Sequence, residues 1–312
     1  MKKATAIVLA CILAVTMLAA CGGSGTTTPA AQPTQAPAAT QAPAATPTPA
    51  PTPAPAAEFN TDRVIAVFTR EDGSGTRDAF VSITGVGDDM YIEAAVQNGT
   101  SLILTSVETN ELAIGYVSVG SLSPAVKALA IDGVMPSDAT ILNNTYSLQR
   151  PFLVVVTDES KENPLVQDFL DFMLSIEGQE LSSSSWTPTV ASPVRYEPSG
   201  LSGVITVGGS TSVNPLMERM RDAYIALNPG IEIEISGGGS GTGIQEATNG
   251  MLDIGMSSRG LREAEKEALT DIAIALDGVA VVVNVANPTD GLTLEQVREI
   301  FVGEVTRWNQ LG

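Results

Sequence analysis

Histidine is absent from this chain of 312 residues, and cysteine occurs only twice. Because no imidazole is present, the chain cannot form a Ser-His or Cys-His nucleophilic pair or a histidine-ligated metal site. Basic residues are also scarce: 16 Lys and Arg stand against 35 Asp and Glu, which gives a formal net charge of −19. So acidic a chain is a poor candidate for binding nucleic acid or anionic lipid through its general surface field, although local donors can still hold a small anion in a pocket.

The first twenty residues have the pattern of a secretory signal peptide. Two lysines precede the apolar run ATAIVLACILAVTMLAA, which is too short for a membrane span and leads directly to Cys21. The sequence LAAC, Leu18 to Cys21, resembles the lipobox of bacterial lipoproteins, in which the chain is cut before the cysteine and the thiol is diacylated. Cys11 lies in the part that would be removed, so Cys21 would have no disulfide partner, and lipidation accounts for it. We expect residues 1–20 to be cleaved and Cys21 to anchor an exported protein at the outer face of the cell membrane. Ordinary secretion with a chance cysteine is the alternative.

Residues 21–59 are expected to be a disordered tether. They are dominated by Ala, Pro and Thr, most clearly in APAATQAPAATPTPAPTPAPAA. Such a segment cannot bury apolar surface and adopts extended, partly polyproline conformations. At about 3.1 Å per residue, its contour length is on the order of 100 Å. The tetrapeptide GSGT at 23–26 belongs to this tether, and no function is assigned to it.

From residue 63 onward, short runs rich in Val and Ile alternate with helical patterns. The strand candidates are RVIAVF, ELAIGYV, RPFLVVVT, GVITVGG, IEIEIS and VAVVVN. Among the helical patterns, PLMERMRDAYIALNPG starts at Pro215, and LTLEQVREIFVG starts with a capping box from Thr293 to Gln296. Strands alternating with helices predict an α/β fold.

Three loops share one design: a short strand, then Gly, Ser and Thr, then a helix. They are FTREDGSGTRDAF at 68–80, VGGSTSVNPLMERM at 207–220 and ISGGGSGTGIQEA at 235–247. A helix start leaves backbone N–H groups unpaired and carries partial positive charge, so it attracts an anion, while the hydroxyls add donors. Each loop alone is more simply an N-cap with a glycine turn, but three in one chain favour an oxyanion site. Nucleotide motifs do not match: GGGSGTGI lacks the lysine of a P-loop and the GxGxxG spacing.

Several blocks of the sequence together resemble the phosphate-binding component of the bacterial phosphate ABC transporter. The blocks are GGSTSVNPLME, SGGGSGTG, DIGMSSR, IALDGVAVVVN, LTLEQVREIFVGEVTRWNQLG, REDGSGTRDAF, AIGYVSVGSL and ALAIDGV, which span nearly all of residues 63–312. The resemblance implies a two-lobed periplasmic-binding-protein fold, type II-like, that closes around inorganic phosphate by a hinge, without catalysis or a cofactor. It also implies a monomer that hands phosphate to a membrane permease.

Two other functions remain as alternatives. One is a phosphate sensor or non-transport surface lipoprotein of the same fold, or a copy that has lost binding. The other is a surface phosphatase, which is disfavoured because the sequence offers no histidine, no clustered acids of the kind that bind metals and no activated nucleophile.

The resemblance transfers binding roles to the REDGSGTR loop. Arg70 is expected to clamp the phosphate, since a guanidinium offers two parallel hydrogen bonds, and Asp72 is expected to be the acid that orients it. Arg77 and Glu71 are expected to be solvated or structural. Further phosphate contacts are expected at Ser74, Gly75 and Thr76.

The other two loops and the DIGMSSR block supply the remaining expected contacts. By resemblance, the phosphate is bound by the Ser212 hydroxyl, the Val213 backbone N–H and Ser240. Many family members have an aspartate after the DIG block that accepts the proton of hydrogen phosphate and repels sulfate, but Ser258 stands there in this chain. A hydroxyl can accept that hydrogen bond but supplies no repulsive charge. Asp277 is a substitute candidate, with a structural role near the hinge as its alternative.

The order of the blocks differs from the order expected for the family, in which REDGSGTR follows the block ending in WNQLG. The chain is therefore predicted to be a circular permutation, with the old ends joined through 185–203. One lobe is expected from 60–149 plus 284–312, and the other from 150–283. A truncated chain whose continuation holds another REDGSGTR half is the alternative.

Overall fold

Strands and α-helices alternate along residues 58–311, the part of the protein that the computed structural model describes. The predicted signal peptide, Cys21 and nearly all of the predicted tether lie outside these residues. None of the helices in the described part combines the length and the apolar character needed to cross a membrane. The strands are β1 Ala66–Arg70, β2 Ala95–Gln97, β3 Ala113–Ser118, β4 Val126–Ala128, β5 Ala130–Ile131, β6 Gln149–Val156, β7 Gly203–Gly209, β8 Ile231–Gly237, β9 Ile254–Ser257, β10 Thr270–Asn284 and β11 Gly291–Leu292. The helices are α1 Gly75–Thr84, α2 Thr100–Thr109, α3 Asp138–Leu142, α4 Asp158–Glu162, α5 Pro164–Leu174, α6 Ile176–Ser182, α7 Asn214–Leu227, α8 Ser240–Thr248 and α9 Leu294–Val302.

The main sheet has the strand order β2-β1-β3-β10-β6-β9-β7-β8, with β4 also paired to β10. Strand β10 is 15 residues long and serves both halves of this sheet. Its first part, Thr270 to Gly278, pairs antiparallel with β6, and its second part, Val279 to Val283, pairs antiparallel with β3. The boundary between the lobes that was predicted at 283–284 stays a prediction. Strand β10 pairs with β6 up to Gly278 and with β3 after it.

The two largest hydrophobic clusters of residues 58–311 lie on opposite sides of this change in pairing. The first lobe, built on β1 to β4 and the second part of β10, contains Phe80 and Tyr116, whose stacked rings have centroids 4.0 Å apart. The second lobe, built on β6 to β9 and the first part of β10, contains Phe172 and Tyr224. The expected two-lobed α/β fold is thereby confirmed.

Local sequence signals explain where two of the helices begin and end. In α9, Thr293 accepts a hydrogen bond from the N–H of Gln296 at 3.1 Å, and the Gln296 side chain accepts one from the N–H of Thr293 at 2.9 Å. This is the predicted capping box. Gly303 ends α9 in the left-handed region, with φ 84°. In α7, Pro215 lies in the first turn, and the buried stripe consists of Leu216, Met217, Met220 and Tyr224.

The connector between α6 and β7, residues 183–202, is tied to the second lobe. Tyr196 and Ser199 of the connector donate hydrogen bonds to Asp168 Oδ2 at 2.7 and 2.9 Å, and Tyr224 of α7 donates to the same oxygen at 2.5 Å. Burial, together with the Asp168 carboxylate, raises the pKa of Tyr224, so its phenol stays protonated and donates. The Asp168 carboxylate of α5 therefore holds the connector against α5 and α7.

Candidate anion-binding site

The loop between β1 and α1 brings a buried arginine and a helix start together. Strand β1 ends at Arg70, and α1 begins at Gly75. Ser74 caps the helix, because its hydroxyl accepts a hydrogen bond from the N–H of Arg77 at 3.3 Å. Arg70, Ser74 and Thr76 are each only 1% exposed. Three of the predicted contact residues thus lie buried on one turn of chain.

Glu71, and not Asp72, holds the guanidinium of Arg70. The Nε and Nη2 atoms of Arg70 donate to the two carboxylate oxygens of Glu71, each at 2.7 Å. Asp72 instead forms an ion pair with Arg77, and its side chain is 94% exposed. The predicted orienting role of Asp72 is therefore wrong, because the chain turns directly after Glu71 and directs Asp72 into solvent. A carboxylate that accepts two parallel bonds from an arginine fixes the plane of its guanidinium.

The Glu71 carboxylate is held in its ionised form. Burial alone would raise the pKa of Glu71, but the hydrogen bonds and the charge of Arg70, with the backbone N–H groups of Glu71 and Gly99, lower it below its ordinary value. The Gly99 N–H donates to Glu71 Oε2 at 3.1 Å. Glu71 therefore joins the REDGSGTR loop to the start of α2 as well as orienting Arg70.

The other edge of the Arg70 guanidinium faces two threonines that none of the expected contacts included. Nη1 donates to Thr100 Oγ1 at 3.3 Å, and Nη2 donates to Thr211 Oγ1 at 3.0 Å. Thr100 begins α2 after β2 and Gly99, which is the same order of strand, glycine, hydroxyl residue and helix found in the three Gly-Ser-Thr loops. That order, rather than the motifs GSGT and GSTSV, is the sequence signal that marks this fourth loop.

The second lobe supplies a group of buried serines. Ser212 and Thr76 share a hydrogen bond of 2.8 Å between their hydroxyls, which joins the two lobes. Ser210 Oγ donates to Ser258 Oγ at 2.9 Å, and the N–H of Ser258 donates to Ser240 Oγ at 3.1 Å. The four serines are at most 2% exposed. The structure thus brings Ser212, Ser240 and Ser258 together with the REDGSGTR loop.

Gly75 lies where the two lobes approach most tightly. A Cβ atom at Gly75 would lie 2.8 Å from Ser258 Oγ and 2.9 Å from Ser240 Cβ, whereas ordinary contacts of a Cβ begin at 3.4 Å. Beside it, the N–H of Gly241 donates across the interface to the carbonyl oxygen of Gly73 at 2.9 Å. Only glycine at position 75 permits this approach.

The expected backbone donor at Val213 is already engaged. Its N–H donates to the carbonyl oxygen of Ser210 at 3.2 Å, and its side chain is buried in the core of the second lobe. This N–H therefore has an acceptor within the turn that precedes α7, and its expected contact with an anion stays a prediction. The hydroxyl of Ser212, by contrast, points into the shared cluster.

Helix starts surround the hydroxyls. Helices α1, α2 and α8 begin at Gly75, Thr100 and Ser240, and α7 begins at Asn214, shortly after Ser212. The first N–H groups of a helix have no acceptor within that helix, and they carry the positive end of its dipole. Converging helix starts, buried hydroxyls and one arginine form a site that suits a small, multiply charged oxyanion.

Asp277 lies outside this cluster and is fully buried at the crossing between the lobes. Arg150 Nε donates to its Oδ2 at 3.0 Å, and Ser118 Oγ donates to its Oδ1 at 2.7 Å. Arg150 Nη1 also donates to the carbonyl oxygen of Ser258 at 3.4 Å. These contacts favour the structural role of Asp277 over a direct contact with an anion. Among residues 58–311, no group of three or more Asp, Glu, Cys or His side chains could hold a metal ion.

A family model described as a PBP superfamily domain matches residues 56–177 and 182–312. The chain belongs to the PBP superfamily. Within this superfamily it is 41% identical over 265 residues to a protein of Streptococcus pneumoniae named phosphate-binding protein PstS 2, a match that covers 82% of this chain and 90% of the relative. It is 38% identical over 258 residues to the Streptococcus agalactiae protein of the same name, over 80% of this chain and 88% of the relative.

A solved structure agrees with these relatives. The crystal structure of a phosphate ABC transporter, phosphate-binding protein, from Streptococcus pneumoniae matches with a TM-score of 0.66 and 40% identity, over 80% of this chain and all of that one. The resemblance found in the sequence is thereby confirmed.

Proposed function

We propose that this protein binds inorganic phosphate between its lobes and delivers it to the permease of a phosphate ABC transporter. The observation that carries the proposal is the meeting of Arg70, the buried hydroxyls and four helix starts at one place between the lobes. The relatives named as phosphate-binding proteins favour the same ligand. Phosphate has four oxygens in a tetrahedral arrangement, and donors converging from two lobes can reach all of them.

The charges around the site suit a buried dianion. Arg70 is the charged donor, but Glu71 already balances much of its charge at 2.7 Å. Neutral donors therefore stabilise most of the charge on phosphate, which is the task that helix starts and hydroxyls perform in low-dielectric sites. The proposed donors are the side chains of Arg70, Ser74, Thr76, Thr100, Thr211, Ser212, Ser240 and Ser258, with the backbone N–H groups of Gly75 and Thr76.

Closure of the lobes completes the site, because donors from both lobes are needed. Thr76 of the first lobe meets Ser212 of the second at 2.8 Å, and Arg70 meets Thr211 at 3.0 Å. An open form would separate these pairs and release the anion to a partner. This arrangement supports a carrier that takes up phosphate, closes by a hinge and opens again at a permease.

The carrier is proposed to be a lipid-anchored monomer on the outer face of the cell membrane. The LAAC sequence supports acylation of Cys21, and the tether at 21–59 gives the lobes reach towards a permease. Metabolic labelling with palmitate, compared between the full chain and Cys21→Ser, tests the anchor. We expect label and membrane fractionation to be lost in Cys21→Ser; retention of both would contradict the proposal.

We also propose that the order of the blocks arose by circular permutation. The two places that a permutation would have separated lie side by side: the N–H of Asn309 donates to the carbonyl oxygen of Thr61 at 3.0 Å, and Val64 forms a bridge with Arg307. Adjacent positions of this kind are where a chain can be cut and rejoined without loss of the fold. A variant that starts at 203 and joins 311 directly to 63 tests this. Folding and phosphate binding are expected, and an insoluble product would contradict the idea.

Isothermal titration calorimetry with inorganic phosphate tests the ligand, using protein that was unfolded, dialysed and refolded to remove any bound anion. The wild-type protein is expected to bind one phosphate. Arg70→Ala is expected to weaken binding at least about 100-fold, since removal of a buried charged donor costs about 3 kcal/mol. Arg63→Ala is the matched control, because the exposed side chain of Arg63 pairs with Glu111 on the surface. Absence of phosphate binding by the wild-type protein would disprove the proposal.

A further inference from the structure

Hydrogen phosphate and sulfate differ by one proton, and the groups around the site determine whether that difference is detected. Both are tetrahedral dianions of similar size, but hydrogen phosphate must donate one hydrogen bond and sulfate donates none. A site distinguishes them when it offers a fixed acceptor to that proton or places a negative charge against sulfate. The acceptors around the site are therefore decisive.

Glu71, which is bonded to Arg70, and Asp277, which lies at the crossing between the lobes, are both engaged away from the site hydroxyls. Glu71 accepts from Arg70 and Gly99, and Asp277 accepts from Arg150 and Ser118. Within residues 58–311, no carboxylate forms a hydrogen bond with any of the site hydroxyls, which are those of Ser74, Thr76, Thr100, Ser210, Thr211, Ser212, Ser240 and Ser258.

The backbone carbonyl oxygens beside the site are occupied as well. The carbonyl oxygen of Ser258 accepts from Arg150 Nη1 at 3.4 Å, and that of Gly73 accepts from the N–H of Gly241 at 2.9 Å. The carbonyl oxygen of Gly209 accepts from the N–H groups of both Gly238 and Gly239, each at 3.0 Å. Each of these oxygens already accepts at least one hydrogen bond, so the proton of phosphate would have to share it with another donor.

The serine hydroxyls of the second lobe form a connected network, in which Ser240 Oγ and Ser258 Oγ lie 3.3 Å apart and either can donate to the other. Ser258 Oγ accepts from Ser210 Oγ at 2.9 Å, and Ser240 Oγ accepts from the N–H of Ser258 at 3.1 Å. A hydroxyl has one proton and two lone pairs, so Ser258, which accepts from Ser210, still has its own O–H to donate, either to Ser240 or to an anion. Thr100 and Thr211 accept from Arg70, which can only donate. The site therefore presents donors.

From these contacts we infer that the site recognises tetrahedral dianions by shape and charge and binds sulfate nearly as well as hydrogen phosphate, with Ser258 acting as a donor to either anion. This inference rests on the proposed function, since it concerns the selectivity of the same site. It identifies Ser258 as the position that sets the low selectivity.

Competing titrations of the refolded wild-type protein with phosphate and with sulfate, in mildly alkaline buffer where hydrogen phosphate predominates, test the selectivity. We expect the two Kd values to differ by less than about tenfold, the ratio set by a single neutral hydrogen bond. A larger preference for phosphate would overturn the inference while leaving the proposed function intact. Binding of neither anion would instead disprove the proposed function.

Ser258→Ala tests the donor role separately, with Ser101→Ala as the control, because Ser101 lies exposed on α2. If Ser258 donates to either anion, its loss should weaken phosphate and sulfate by the same factor, about tenfold, within about threefold of each other. If Ser258 instead accepts the proton of phosphate, only phosphate binding will weaken. A selective loss of phosphate affinity would therefore overturn the inference, whatever the wild-type ratio.

Discussion

Gly75→Ala is expected to abolish tight phosphate binding while leaving the free protein folded. Position 75 is the first residue of α1, where alanine fits the helix and can stabilise the chain by about 0.4–1 kcal/mol relative to glycine. In the closed form, however, the added Cβ would lie 2.8 Å from Ser258 Oγ and 2.9 Å from Ser240 Cβ. The lobes must then separate until these contacts reach at least 3.4 Å.

Such a separation weakens every hydrogen bond that spans the lobes at this point. The bond of 2.8 Å between Thr76 and Ser212 would lengthen beyond good geometry, and donors from opposite lobes could no longer contact one anion together. Loss of two hydrogen bonds to a charged ligand, at about 1.5–3 kcal/mol each, corresponds to a Kd about 100-fold to 10,000-fold higher.

Calorimetry with phosphate and thermal unfolding of the ligand-free protein together check this prediction. Gly260→Ala is the matched control, because Gly260 lies in the second lobe near the interface, has no atoms within 4 Å of an added Cβ and has an ordinary φ. Phosphate binding by Gly75→Ala within about threefold of the wild type would show that the lobes do not close as described. A large fall in the Tm of its ligand-free form would show that the effect is on folding.

Three further predictions concern the charged groups beside the site. Glu71→Gln should weaken phosphate binding about tenfold or more, because Glu71 orients Arg70. Asp72→Asn should leave the Kd for phosphate within about twofold of the wild-type value, because Asp72 pairs with Arg77 instead. Equal effects of the two substitutions in calorimetry would contradict this assignment. The pKa of Glu71 is lower in the folded protein than in the unfolded chain, so the stability that its ionised carboxylate contributes is present above the unfolded pKa and is lost as the pH falls through the folded pKa. When Tm is measured at decreasing pH, Glu71→Gln should therefore lose less Tm than the wild-type protein. Asp78 of α1 joins the lobes through ion pairs with Arg259 Nε at 2.9 Å and Arg262 Nη2 at 3.0 Å. Asp78→Asn should therefore weaken phosphate binding by about threefold to thirtyfold at low salt and by less at high salt. An effect that does not depend on salt would argue against ion pairs between Asp78 and the two arginines as its cause.

Local sequence signals were sufficient to predict the fold class and most of the loops of the candidate site. Alternating Val- and Ile-rich runs and helix signals predicted the α/β class, since periodicity and caps act over a few residues. The order of strand, glycine, hydroxyl residue and helix located three of the four loops, because it fixes a helix start whatever the rest of the chain does. The absence of histidine from the sequence is sufficient to exclude imidazole chemistry, whatever fold the chain adopts.

Tertiary structure decided which of these groups act together. Thr76 and Ser212 form a hydrogen bond although they are 136 positions apart, and nothing in either loop specifies that partner. Glu71 rather than Asp72 meets Arg70 because the direction of the turn after β1 depends on the packing of α1 and α2 around it. Whether Ser258 donates or accepts likewise depends on Ser210, 48 positions away. A sequence supplies donors and acceptors, but their pairing follows from the fold, which brings distant segments to a hydrogen-bond distance of about 2.9 Å.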